Sequence, residues 1–447
     1  MSKNNENKLM PKLRFPEFLK DKEWQRTTIG EVGKFYYGKS APKWSLSDDA
    51  PTPCVRYGEL YTKFNTIIDK IYSKTNIDPS TLRFSKGGEI LVPRVGEVPQ
   101  DFAKHCCYLP FENIAIGEMI SVYETNEYPI FYTHYFRTLW REFAKVVEGQ
   151  NVKNLYYINL EPIVVGKPSY KEQQKIADCL SSLDDVITAE SQKLELLKDH
   201  KKGLLQNLFP QAGSAVPKFR FKEFENSGEW VVCDLLDTTN KDIKWSFTGG
   251  PFGSNLKAEH YTSTGIRIIQ LQNIGDGEFI DDYKIYASAE KANELLSCNI
   301  YSGEIILSKM GDPVGRACII PNHLERCIMA SDGIRLVIDE KRFSKYFVYA
   351  LINSKQIREA IERKSTGSTR KRIGLDELKK IKLPKPLKIE EQQRIASCLS
   401  SLDDLITAQN QKLEALQLHK KGLLQGLFPT LSETGFTGLK DEKDSKT

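Results

Sequence analysis

Residues 172–210, EQQKIADCLSSLDDVITAESQKLELLKDHKKGLLQNLFP, return at 391–429 as EQQRIASCLSSLDDLITAQNQKLEALQLHKKGLLQGLFP, without a gap and with 30 of 39 positions identical. No other feature constrains the fold as much, because a duplicated segment of this length makes the chain two related halves. The offset is 219 residues, far above the roughly 20–50 of a solenoid repeat. Shorter matches extend the duplication. Pro11-Lys-Leu-Arg-Phe-Pro-Glu-Phe18 answers Pro217-Lys-Phe-Arg-Phe-Lys-Glu-Phe224, and Glu23-Trp24 answers Glu229-Trp230. Gly88-Glu-Ile-Leu-Val-Pro-Arg-Val-Gly96 answers Gly303-Glu-Ile-Ile-Leu-Ser-Lys-Met-Gly311. Between these anchors the halves have diverged, so each is a variable domain followed by a nearly constant segment.

The constant segment reads as a helix with a heptad seam. Ile176, Leu180, Leu183, Ile187, Leu194, Leu197, Leu204 and Leu208 recur in steps of four and three, with Glu190 and Lys201 as polar interruptions. The second copy carries Ile395, Leu399, Leu402, Ile406, Leu413, Leu416, Leu423 and Leu427, interrupted by Gln409 and Lys420. Such a seam predicts helices packed on each other, against the alternative of each lying on its own domain. Pro210 and Pro429 end the runs, and about 36 residues span about 54 Å. An antiparallel pair about a pseudo-twofold axis places Glu190 opposite Lys420 and Gln409 opposite Lys201. Outside the seam, Ser-Ser-Leu-Asp-Asp (181–185 and 400–404) and His-Lys-Lys-Gly (200–203 and 419–422) are also constant. A seam alone does not demand that, and it predicts one partner surface bound twice.

The expected organisation is a disordered end at 1–10, a domain at 11–168, a helix at 169–210 and a linker at 211–216. A second domain at 217–386, a helix at 387–429 and a disordered tail at 430–447 follow. Both domains read as mixed α/β, with short β-branched runs between Gly- and Asn-containing turns. The first interleaves cations with aromatics: Tyr36, Tyr37, Lys39, Lys43, Trp44, Arg56, Tyr57, Tyr61 and Lys63. The second carries Lys257, then Gln270, Gln272 and Asn273 alternating along an expected strand edge. Side chains of these types form the forks that match base edges in a major groove. Three loops are candidate phosphate grips: Gly249–Ser254; Ser365–Arg372, with Arg370, Lys371 and Arg372; and its less basic counterpart 149–153, ending in Lys153. Arg94 and Lys309 stand at equivalent places ahead of Gly96 and Gly311.

Composition excludes several classes. The chain is 40% hydrophobic and 28% charged with net charge +5, as in a water-soluble multidomain protein able to meet a polyanion. No apolar stretch is long enough to span a membrane, and Met1–Met10 lacks the apolar core of a signal peptide, so a cytoplasmic protein is expected. The nine cysteines form no C-x-x-C pair, and His105 beside Cys106 and Cys107 lacks metal-ligand spacing. No P-loop and no amino-methyltransferase quartet occur. Glu377-Leu-Lys379 has the E-x-K form of many nucleases, a tripeptide common by chance. No catalytic residue and no metal site are assigned.

These residues resemble the specificity subunit of type I restriction-modification enzymes, from Pro11 to Pro429. The resemblance rests on P-x-x-x-E-Q-x-x-I-x-x-x-L-x-x-L-D-x-x-I, found at Pro168–Ile187 and, with one more residue before the Glu, at Pro386–Ile406. The G-E-I-(I/L)-x-x-(R/K)-x-G segments and the G-x-F-G-S loop at Gly250 also match; the first domain departs there, reading Tyr37-Gly-Lys-Ser40. The family implies an α+β chain of two target recognition domains held apart by an antiparallel coiled coil. Each domain reads half of a split, asymmetric sequence in double-stranded DNA. It implies no cofactor in this subunit. Two methyltransferase subunits use S-adenosylmethionine, and two restriction–translocase subunits use ATP and Mg2+. The competing readings are a nuclease or methyltransferase with degenerate motifs, and a coiled-coil scaffold that binds only protein.

Overall fold

A computed structural model describes residues 9–39, 41–211, 213–367 and 370–429. The two ends expected to be disordered fall outside these, apart from Leu9 and Met10. Leu9 is a correction: it is 6% exposed and belongs to a hydrophobic core, with its carbonyl accepting from the Trp24 amide at 3.1 Å. The long helices run Tyr170–Asn207 and Ile389–Leu427. Compact units form from residues up to 191 together with those from 411 onward, and from 192–410. The divisions between the units therefore fall inside the two long helices.

In the first unit an antiparallel sheet runs Gly33–Tyr37, Ile120–Thr125, Glu89–Pro93, Cys107–Leu109. A second runs Ser73–Thr75, Thr52–Val55, Glu112–Ile116, Phe84–Lys86, and its middle pair is parallel, with Cys54 beside Ala115. Every residue of Glu89–Pro93 is buried, which is why the strand after Glu89 is a continuous apolar run, Ile90 to Pro93, without polar alternation. Helix Pro129–Thr138 covers the core with Phe131, Tyr132, Tyr135 and Phe136. The start of the first long helix adds Ile176, Ala177 and Leu180 to that core, and the end of the second adds Leu427 and Phe428.

The second unit repeats this plan. Its sheets run Phe247–Gly249, Gly333–Leu336, Ile305–Ser308, Ala317–Ile319 and Ile285–Ala287, Ile266–Ile269, Arg326–Met329, Asn299–Tyr301. The parallel pair is again in the middle, Ile268 beside Ile328. Ile395, Ala396 and Leu399 join its core with Leu208 and Phe209, and Phe209 meets Phe347 edge-on at 5.5 Å. Each long helix therefore packs its first half on its own domain and its Leu-Phe end on the other repeat's domain. Packing on its own domain and packing on the partner helix, alternatives in the sequence, are both realised.

Within each unit the helix segments are antiparallel, in a register that corrects the expected one. Lys420 pairs with Asp184, Glu190 with Lys412 at 2.6 Å, and Lys201 with Asp403 at 2.5 Å. Glu190 thus faces Lys412 instead of Lys420, and Lys201 faces Asp403 instead of Gln409. The seam residues are all buried or half-buried, while their neighbours Val186, Leu196, Leu405 and Leu418 are exposed. Two constant polar motifs meet here, since Asp184 and Asp403 belong to Ser-Ser-Leu-Asp-Asp and Lys420 and Lys201 to His-Lys-Lys-Gly. Pairing between the helices accounts for these four residues, which the sequence had assigned to a partner surface. His200, His419, Asp185 and Asp404 stay exposed.

His134 is 1% exposed, with Nε2 3.5 Å from Ser181 Oγ. Burial, with Lys420 and Arg137 near, holds the imidazole neutral and pushes its pKa down to about 3. Its unfolded value is about 6.5, so its contribution to stability is complete above that pH and is lost as pH falls. The expected loss is about 1.4 kcal/mol per unit below pH 6.5. Denaturation at pH 6.5 and pH 5.5 should show it, and His134→Gln should flatten the difference. An unchanged slope in the variant would contradict the assignment.

Candidate nucleic-acid interface

In the first domain a turn at 116–120 gathers several candidate residues. Gly38 donates to Ile120 O at 3.0 Å, Lys39 to Ile116 O at 2.8 Å, Gly117 to Val55 O at 2.9 Å, and Arg94 to Met119 O at 3.0 Å. These bonds bring Lys39, Arg56 and Arg94 around one turn. Lys153 joins them because Val95–Gly96 pairs with Lys153–Asn154 in a two-stranded ribbon. Only glycine fits at 38, where a Cβ would come within 2.2 Å of Gly117 O. The Arg94 guanidinium lies 4.4 Å from the Tyr37 ring centroid and 5.4 Å from that of Tyr156. Beside the ribbon, Tyr57, Tyr61, Val98, Asp101 and Asn151 line a concavity of about 480 Å³.

The second domain builds the equivalent place from different side chains. Lys309 repeats both backbone bonds of Arg94: its amide donates to Asp332 O, and its carbonyl accepts from Ile373 as that of Arg94 does from Leu155. The following ribbon pairs Met310 with Arg372 and Gly311 with Lys371. Two loops read separately in the sequence, 309–311 and 365–372, are therefore one structure, as are 94–96 and 149–153. Residues 368–369, like Ser40, lie outside the described residues. Gly250 takes the place of Gly38: its amide donates to Gly333 O at 2.8 Å, and a Cβ would meet Ala330 O at 1.8 Å. The glycine allows close backbone approach, and the two loops are equivalent despite their different sequences.

Gln270 and Gln272 line a concavity of about 250 Å³ with Pro251, Gly253, Ser331 and Asp332. Gln272 Nε2 donates to Gln270 Oε1 at 2.9 Å, and Gln270 Nε2 to Tyr261 Oη at 3.3 Å. Asp332 accepts from Arg372 Nη2 at 2.9 Å, and desolvation lowers the pKa of Lys309 while the Asp332 carboxylate opposes that shift. Leu271–Asn273 is a 3-10 turn after the strand Ile266–Ile269, not the expected strand edge. Asn273 is a correction: it is fully buried, caps the Gln270 amide through Oδ1 and donates to Ile280 O and Tyr283 O. Its geometry is structural, and Glu59 does the same work for Arg56 in the first domain.

Other candidates have local contacts. Lys63 Nζ lies 5.7 Å from the Tyr72 ring, Lys257 Nζ is 3.6 Å from Glu259, Lys43 starts a 3-10 turn, and Arg370 is exposed. Lys371 is bound by Glu362. Glu377 and Lys379 pair separately, with Lys364 and Asp376, so the E-x-K tripeptide makes no common site. Cys106 and Cys107 are fully buried, burial pushing the Cys107 thiol up to about 12, and His105 Nδ1 lies 3.2 Å from Leu60 O. Tyr156, Arg316 and Asp332 were missed by sequence reasoning. Arg316 donates to Leu271 O at 3.5 Å and has a buried Nε with no partner among the described residues. Nothing in the primary order ties these residues to the sites they support.

The model of the type I restriction modification DNA specificity domain matches residues 21–199 and 253–418. The chain belongs to the specificity subunits of type I restriction-modification systems. It is 24% identical over 94% of its length to the type I restriction enzyme MjaVIII specificity subunit of Methanocaldococcus jannaschii, covering 94% of that protein. It is 28% identical over 62% of its length to the putative MjaX specificity subunit of the same organism, of which 61% is covered. Among solved structures, the S subunit from M. genitalium superposes with a TM-score of 0.59 at 15% identity, over 94% of this chain and 100% of that one. A chain from a study of complex assembly and conformational transition in a type I system gives 0.55 at 14%, over 91% and 98%.

As a specificity subunit it has two DNA recognition domains, assembles with other restriction-modification subunits, and recognises DNA without catalysing. No described helix is long and apolar enough to cross a membrane. The family motif itself is architectural in this subunit. Glu172 accepts from Arg14 Nε and Nη2, both at 2.7 Å, and from Trp24 Nε1 at 3.2 Å. Glu391 does the same with Arg220, both at 2.8 Å, and Trp230 at 3.2 Å. Gln173 accepts the Tyr128 amide and Gln392 the Ser344 amide. The Glu-Gln pair thus ties each helix start to the Arg and Trp near the domain's beginning.

Proposed function

We propose that the two domains read the two halves of a bipartite, asymmetric sequence in double-stranded DNA. The observation that carries this is one backbone framework bearing different side chains: Arg56 against Gln270, Arg94 against Lys309, Asn154 against Arg372. Side chains that differ at equivalent positions select different bases. Methylated-base sequencing of DNA from cells carrying the complete system tests it, and a palindromic or contiguous motif would overturn it.

In this reading the long helices dock two methyltransferase subunits, which use S-adenosylmethionine, and set the half-site spacing. Two restriction–translocase subunits using ATP and Mg2+ join through them, in the cytoplasm, and this subunit binds no cofactor. Each helix of 38 or 39 residues is about 57 Å long. Inserting four residues after Thr188 and four after Thr407 adds about 6 Å to each, and a coiled coil absorbs such a stutter by local unwinding. The spacer should grow by about one to two base pairs, at about 3.4 Å each, with both half-site sequences unchanged. Methylation at the original spacing only would rule the ruler out.

A further inference from the structure

We infer that Arg94 reads a guanine in the half-site bound by the first domain. This deepens the recognition function proposed above and rests on it. The backbone of Arg94 is locked on both sides, donating to Met119 O at 3.0 Å and accepting from Leu155 at 2.8 Å. Its guanidinium packs on Tyr37, with Tyr156 also within cation–π range. Nε is buried and has no hydrogen-bond partner, and the side chain makes no ion pair among the described residues. With the Nε edge turned inward, the Nη pair is the edge left for a ligand. A planar fork held in this way matches the O6 and N7 acceptors of guanine in the major groove. A phosphate contact would need only a positive charge.

The second domain supplies an internal comparison. Lys309 has the same two backbone bonds, yet it is a point charge near Asp332, which is itself held by Arg372. No fork is presented from that position. The two half-sites are therefore read by different means from the same place in the fold.

The test uses the full chain assembled with its methyltransferase subunits, on duplexes randomised in both half-sites. The wild-type complex should require a G·C pair at one position of one half-site. Arg94→Ala should lower discrimination at that pair about tenfold to a hundredfold, as loss of a bidentate base contact does, leaving the other half-site intact. Arg94→Lys keeps the charge and should lose the same discrimination. Lys309→Ala should leave that half-site unchanged. A wild-type motif without a fixed guanine in that half-site overturns the inference. So does Arg94→Lys with an unchanged motif, or Arg94→Ala that weakens every sequence alike. A wild-type complex that selects no bipartite sequence defeats the recognition reading itself, and this inference with it. Thermal unfolding of each variant complex separates these results from misfolding, and Arg94→Lys is the variant that retains the stacked cation.

Discussion

Replacing Glu391 with alanine should destabilise the second unit by about 3–5 kcal/mol, the cost of removing one member of a buried ion pair. Glu391 is 1% exposed and its partner Arg220 has a side chain 10% exposed, so the guanidinium would be left buried without a countercharge. Trp230 Nε1 would lose its acceptor as well. Glu172→Ala should act alike on the first unit, through Arg14 and Trp24. Replacing both partners with apolar residues, as in Arg220→Met with Glu391→Leu, should recover most of the loss, because no charge is then stranded. Denaturant unfolding monitored by the tryptophan near each pair reads the effect. A loss below about 1 kcal/mol for Glu391→Ala, the range of exposed pairs, would show that the bridge is not buried as described.

Phe428→Ala should cost about 3–5 kcal/mol, as truncation of a buried aromatic does, and the damage should appear far from it in sequence. Phe428 is 4% exposed, stacks on Tyr135 at 4.8 Å and meets Phe131 at 5.4 Å. Hydrogen exchange should therefore lose protection in helix Pro129–Thr138 and leave Lys345–Ile352 as it was. Phe209→Ala should do the reverse, since Phe209 rests on Phe347. If each variant instead loosened the domain that precedes it in the chain, the assignment of helix ends to units would be wrong.

Much of this was legible in the residues. The gapless repeat announces two related halves, and the four-three spacing announces the helices and their seam. Those signals are periodic and local, so they survive without three-dimensional information. The polar layers were read wrongly because a heptad seam is compatible with many antiparallel registers. The actual one is selected by Asp184 meeting Lys420 and Asp403 meeting Lys201, together with the Leu-Phe ends entering their cores. Asn273 was misread for a related reason: an amide beside Gln270 and Gln272 looks like a base-reading side chain until burial gives it two carbonyls to satisfy.

By itself, then, the sequence determined the duplication, the helical seam, the family and the cations near each Gly-containing loop. Only the tertiary structure decided which loops combine, that Gly38 and Gly250 are the same residue of the fold, and that Tyr37 and Tyr156 flank Arg94. It also decided that each helix is shared between two units. These are long-range facts, set by which apolar surfaces can be buried together and which buried polar groups must be paired, and no periodicity along the chain encodes such pairings.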